Sequence, residues 1–167
     1  MNRAAIICSA AGAALLLAAG AVLAPGPLML ARLALLGGAL GVVVLYDLRE
    51  HRIPNRVVLP AMAACIVLSL GEGVHPNTGL CLGAAFVALM LTASLVAPAL
   101  LGMGDVKLAL LILCALGGFA SLALLIGFEL YALVGVALVI RRGRAALGTA
   151  LPLAPMLAAS CLIAVLL

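Results

Sequence analysis

The chain has 167 residues, of which 68% are hydrophobic and 8% charged, and it carries a formal net charge of +4. So few charges cannot cover a soluble surface. The composition therefore excludes a soluble globular domain and reads as an integral membrane protein, whose apolar runs need about 18 residues or more to cross a bilayer. The nine basic residues form no continuous stripe but gather in short segments between apolar runs, the pattern of orientation signals rather than of nucleic-acid binding.

In chain order, Arg3 precedes an Ala/Leu run that predicts a first helix over residues 4–23, ended by Pro25-Gly26-Pro27. A charged start, an apolar core and small residues before Pro25 also fit a cleavable signal peptide, although the core is longer than the usual ~7–15 residues. Residues 28–46 form the second span, with Arg32 placed to snorkel near its outer end. A polar segment, 47–56, carries Arg49, Arg52 and Arg56. The third span covers 57–70 and lengthens to 54–70 if Pro54 opens its first turn; Pro60 lies close enough to that end to be tolerated or to bend it. Residues 71–79 are a turn-rich loop with neither Lys nor Arg. The fourth span is 80–97, broken by Pro98 and by Gly102 and Gly104. A short fifth span runs over 105–119, with Gly117-Gly118 marking the turn, and a sixth runs over 120–140, with Glu129 near its middle. Arg141, Arg142 and Arg144 mark a basic loop, and the last span, 147–167, contains Pro152 and Pro155.

The expected fold is an all-α polytopic bundle of about seven transmembrane helices. It would be one membrane domain, with residues 1–27 as an extra N-terminal helix and 28–167 as the core. Counting basic residues makes the loops 47–56, 99–107 and 141–146 cytoplasmic, the amino terminus inside and the carboxy terminus outside. Cys8, Cys65, Cys81, Cys114 and Cys161 all fall in apolar runs with no Cys-x-x-Cys, so neither a disulfide framework nor a zinc site is expected. Buried small hydrophobes at helix contacts are the ordinary use of such cysteines. His51 and His75 read as solvated loop residues.

Acidic residues number 5, so a carboxylate between apolar runs is costly and marks a functional candidate. Asp47 closes a helix running inward and Asp105 opens one running outward, which sets both on one membrane side. Two carboxyls held close cannot both ionise easily, so one keeps a proton while the other acts as base. Such a pair titrates as a unit and can activate a water for attack on a peptide carbonyl. Gly102 and Gly104 permit backbone conformations closed to other residues and a close approach of substrate. The structural alternative makes Asp105 an N-cap and Asp47 a boundary charge paired with Arg49 or Arg52.

The pattern Asp47, then Ile53-Pro54-Asn55, then two spans, then Gly102-Met103-Gly104-Asp105-Val106-Lys107 resembles the type IV prepilin peptidase family over residues 40–160. The resemblance implies catalytic aspartates at Asp47 and Asp105, with Ile53, Pro54, Asn55, Gly102, Gly104 and Lys107 as supporting motif residues. It implies no metal and no cofactor. The implied substrate is a prepilin-like protein whose short basic leader is removed at the cytoplasmic face of the inner membrane; the bilayer is the other partner, and nucleic acid is not one. Leu151-Pro152-Leu153-Ala154-Pro155 is similar to the family's Pro-x-Gly-Pro, with Ala154 in place of glycine. The paired Cys-x-x-Cys insert of the methylating members is missing, so the chain is similar to the short Flp/Tad and preflagellin peptidases and methylation is not expected. Two other readings remain open. An intramembrane aspartyl protease of the presenilin and signal-peptide-peptidase type also uses Tyr-Asp and Gly-x-Gly-Asp, although on consecutive helices. A proton-coupled transporter or assembly subunit could use Glu129 together with the aspartates, and Glu129 could equally serve as a helix-to-helix hydrogen bond.

Overall fold

The computed structural model describes residues 3–22, 26–73, 76–98, 101–143 and 151–167. These form seven α-helices: α1 (Arg3–Val22), α2 (Pro27–Glu50), α3 (Asn55–Glu72), α4 (Thr78–Val96), α5 (Met103–Leu116), α6 (Ala120–Arg142) and α7 (Ala154–Leu166). A 3₁₀ turn, Gly117–Phe119, joins α5 to α6. No strand occurs among the described residues. His75, Arg144 and the first residues of the expected last span, 147–150, lie outside them.

Four stretches are long and apolar enough to cross a membrane: α2, α3, α4 and the run Met103–Arg142. The apolar parts of α1 and α7 are shorter, Ala10–Ala21 and Ala154–Leu166. α5, expected as a short span, has 14 residues, which rise about 21 Å against a hydrocarbon core of about 30 Å. Gly117, in the left-handed region at φ 56, ends it early. The chain then folds back: Asp105 on α5 and Tyr131 on α6 line the same cavity, which a straight continuation would forbid.

α5 is the centre of the bundle. It packs against α2, α3, α4, α6 and α7, and Leu108, Leu111, Ile112 and Leu116 are buried along it. A helix apolar on all sides can lie in lipid or in a core; α5 takes the core, whereas the equally apolar α4 leaves most of its surface exposed. Leu33, Leu36 and Val43 of α2, Val58 and Cys65 of α3, and Leu157 and Cys161 of α7 complete the core. α1 docks on α2 where Gly12 and Gly37 bring the two backbones into contact, leaving no room for a Cβ on either; such small-residue crossings replace the hydrophobic drive that lipid removes.

Two further boundaries differ from expectation. α2 continues to Glu50, so Asp47 stands within its last turn rather than in a polar loop. α3 continues to Glu72, and Arg32, expected to snorkel outward, is instead 8% exposed. It forms an ion pair with Glu72 and donates to Ser69 Oγ at 3.0 Å. The attraction of a carboxylate one helix away outweighs the reach to the interface.

Candidate active site

Asp47 lies at the carboxy-terminal end of α2, where a helix dipole disfavours an anion. The chain compensates with another helix. The backbone N–H of Ala154, the first residue of α7, donates to Asp47 Oδ2 at 2.9 Å. The carboxyl therefore meets the positive end of α7 and satisfies one of its unpaired N–H groups. Asp47 is only 6% exposed, and its bond is to α7; the ion pair with Arg49 or Arg52 is not formed, Arg32–Glu72 being the only salt bridge among the described residues. His51 caps α2 in a left-handed conformation, φ 50, its N–H donating to the Asp47 carbonyl at 3.1 Å. Histidine is among the few non-glycine types that adopt this conformation.

Asp105 is the third residue of α5, after the N-cap Gly102. It is therefore not itself the N-cap. The Asp105 N–H donates to the Gly102 carbonyl at 3.1 Å. Asp105 is close enough to Asp47 that the charge of one acts on the other.

The backbone freedom expected of the two glycines is not used. Neither Gly102 nor Gly104 has a positive φ; Gly102, at φ −72 and ψ 142, has a backbone open to any residue. What Gly104 provides is space for Ile53, whose Cβ would stand 3.1 Å from a Cβ added there. At Gly102 an added Cβ would meet Asp105 Oδ2 at 3.4 Å, an ordinary contact. The two sequence motifs are thus fitted together, and Lys107 Nζ donates to Asn55 Oδ1 at 3.2 Å across the same seam.

Both aspartates border one cavity of about 740 Å³. Ile53, Asn55, Gly102, Gly104 and Lys107 also line it; Pro54 does not, and serves as the N-cap of α3. Several lining residues carried no site assignment in the sequence: His51, Arg52, Phe128, Tyr131, Leu151 and Leu153. The proline pair around Ala154 was a signal for the last two. Tyr131, one of two tyrosines, had only its rarity to mark it. Glu129 is exposed and does not line this cavity, so nothing places it on a path between the aspartates.

No group of three or more His, Cys, Asp or Glu residues that could hold a metal occurs among the described residues, and all five cysteines are free. Two carboxyls that line one cavity can divide the roles of base and acid toward a water.

No curated protein and no solved structure matches the chain significantly. A family model does: the type IV leader peptidase family matches residues 34–167, a stretch that holds both aspartates, both motifs and the start of α7. With four fifths of its length so matched, the chain belongs to the type IV leader peptidase family.

Proposed function

We propose that the protein is an aspartic endopeptidase that cuts the short basic leader from prepilin-like precursors, with Asp47 and Asp105 as its catalytic pair. The observation that carries this reading is the meeting of two carboxyls, 58 positions apart in sequence (105 − 47), on one cavity, with Asp47 anchored on the α7 N-terminus. One carboxylate takes a proton from a water as its oxygen bonds to the scissile carbonyl carbon. The other carboxyl delivers a proton to the departing amine as the C–N bond breaks. The low-dielectric surroundings strengthen each of these interactions. Ala154 positions Asp47 through its N–H. Ile53 against Gly104, and Lys107 on Asn55, hold the α2–α3 turn to the start of α5.

The proposed location is the cytoplasmic side of the inner membrane. Support comes from Arg49, Arg52, Arg56, Arg141 and Arg142, all exposed at the end of the bundle that holds the aspartates. A site there meets the junction between a basic leader and the apolar helix that follows it.

The test is cleavage of a prepilin-like substrate by the purified full chain in lipid. Asp47→Asn and Asp105→Asn should each reduce the rate by at least about 10²-fold while the protein remains folded and inserted. Near wild-type cleavage by either variant refutes the assignment.

A further inference from the structure

Peptide cleavage by two carboxyls leaves one developing charge without a partner. As water adds to the scissile carbonyl, the C=O electron pair moves onto oxygen, which becomes an oxyanion. Both carboxyls are then engaged: one holds the proton taken from water, and the other keeps its own for the departing amine. The carbonyl oxygen needs a separate donor, in place before the reaction begins.

Five side chains with donor groups line the cavity beside the two aspartates: His51, Arg52, Asn55, Lys107 and Tyr131. His51, Arg52 and Asn55 are exposed, so water screens their charges and dipoles. Lys107 Nζ is turned to Asn55 Oδ1 at 3.2 Å. Tyr131 differs on each count. It is half-buried, and its ring packs against the buried core. One turn earlier on α6, Phe128 lines the same cavity and meets Phe86 of α4 edge to face, with ring centres 5.2 Å apart. That contact fixes this part of α6 on its neighbour. Carboxyls aside, Tyr131 carries the only hydroxyl among the described lining side chains. A phenolic O–H is a neutral donor, which an apolar wall holds at less cost than a cation.

Height along the bundle sets Tyr131 level with Asp105. α5 ends at Leu116, and α6 begins at Ala120 across the 3₁₀ turn and runs back along it. Asp105 stands 11 residues before the end of α5 (116 − 105), and Tyr131 stands 11 residues after the start of α6 (131 − 120). Each is therefore about 16 Å from the turn, and both border one cavity. On the aspartic-endopeptidase reading, on which this step rests, we infer that Tyr131 is a further catalytic residue, its phenolic hydroxyl donating a hydrogen bond to the scissile carbonyl oxygen as that oxygen takes up negative charge. When the electron pair returns to re-form C=O and the C–N bond breaks, the bond to Tyr131 relaxes. The phenol keeps its proton throughout.

The experiment compares wild type, Tyr131→Phe and Asp47→Asn as purified full chains in lipid, with rates taken per folded molecule. Phenylalanine keeps the ring and its packing, so thermal unfolding of Tyr131→Phe should match wild type. Its kcat should fall about 10²-fold, with KM changed less than about twofold, because the lost bond strengthens only in the transition state. Two inhibitors separate this role from packing. A difluoroketone analogue of the scissile peptide, whose hydrate carries both oxygens of the tetrahedral intermediate, should bind Tyr131→Phe about 10²-fold more weakly. A reduced-amide analogue, with no oxygen at that carbon, should bind wild type and Tyr131→Phe alike. Wild-type kcat in Tyr131→Phe, beside an inactive Asp47→Asn, would remove Tyr131 from the reaction and leave the carboxyls in it. An equal loss of affinity for both inhibitors would also overturn the inference, by showing a change of cavity shape. Cleavage retained by Asp47→Asn would instead refute the two-carboxyl reading itself.

Discussion

The contact between Asp47 and Ala154 separates what the carboxylate does for the fold from what it is proposed to do in cleavage. Asp47 is buried, its Oδ2 accepts from the Ala154 N–H at 2.9 Å, and Asp105 shares its cavity. Asparagine keeps an acceptor oxygen for that N–H. It exchanges a charge-assisted bond of about 1.5–3 kcal/mol for a neutral one of about 0.5–1.5 kcal/mol. It also removes a buried charge and the repulsion from Asp105, which offsets the loss. Asp47→Asn should therefore fall within about 1 kcal/mol of wild type. Alanine has no acceptor and leaves the Ala154 N–H orphaned at a buried helix start, a cost of about 1–3 kcal/mol. Thermal unfolding of the purified variants in one detergent, beside cleavage per folded molecule, reads both quantities. Both variants should be inactive, and only Asp47→Ala clearly less stable. Equal stability of the two would refute the role given to the α7 N-terminus, even with cleavage lost in both.

At Gly104 a methyl group gains about 1 kcal/mol of helix propensity but presses on Ile53. Gly104→Ala should change stability little and lower cleavage per folded molecule, and Gly104→Leu should lower both; unchanged specific activity in Gly104→Leu would make the glycine irrelevant to the site. Asn55→Ala and Lys107→Ala should prove non-additive, with a coupling of about 0.5–1 kcal/mol in a double-mutant cycle of unfolding free energies; full additivity would show that the 3.2 Å contact contributes nothing. Cleavage should survive strong chelators, since no cluster with metal-ligand composition lies among the described residues; loss of activity restored by zinc would contradict the two-carboxyl mechanism.

The aspartates were legible because charge is expensive between apolar runs, so a carboxylate there stands out by residue type alone. Helices were legible for the same reason, as long apolar stretches cut by Pro, Gly and Arg. Their ends were less so. Gly117-Gly118 marks the turn after α5, yet the expected span runs on to residue 119, because which glycine takes the positive φ is not visible in sequence. Arg32 was misread because a lone arginine near a helix end has two outlets. The nearer, the interface, needs no partner in the sequence, whereas Glu72 lies 40 positions away. Ala154 could not have been found by residue type, since any residue but proline supplies a backbone N–H.

Gly104 shows why a motif can be recognised without its reason being visible. A glycine beside a carboxylate announces that a side chain is missing, without saying what occupies the space. Here Ile53 does, from a segment 51 positions earlier, and Lys107, three residues beyond Gly104, reaches Asn55, two residues beyond Ile53. Ile53-Pro54-Asn55 and Gly104-Asp105-Val106-Lys107 are therefore two halves of one clasp. Enlarging residue 104 pushes on the turn that follows Asp47, and shortening Lys107 loosens the same turn from Asp105. The spacing of the carboxyls depends on this seam as much as on the helices that carry them, so residues that touch no substrate still bear on whether the two aspartates can act on one water.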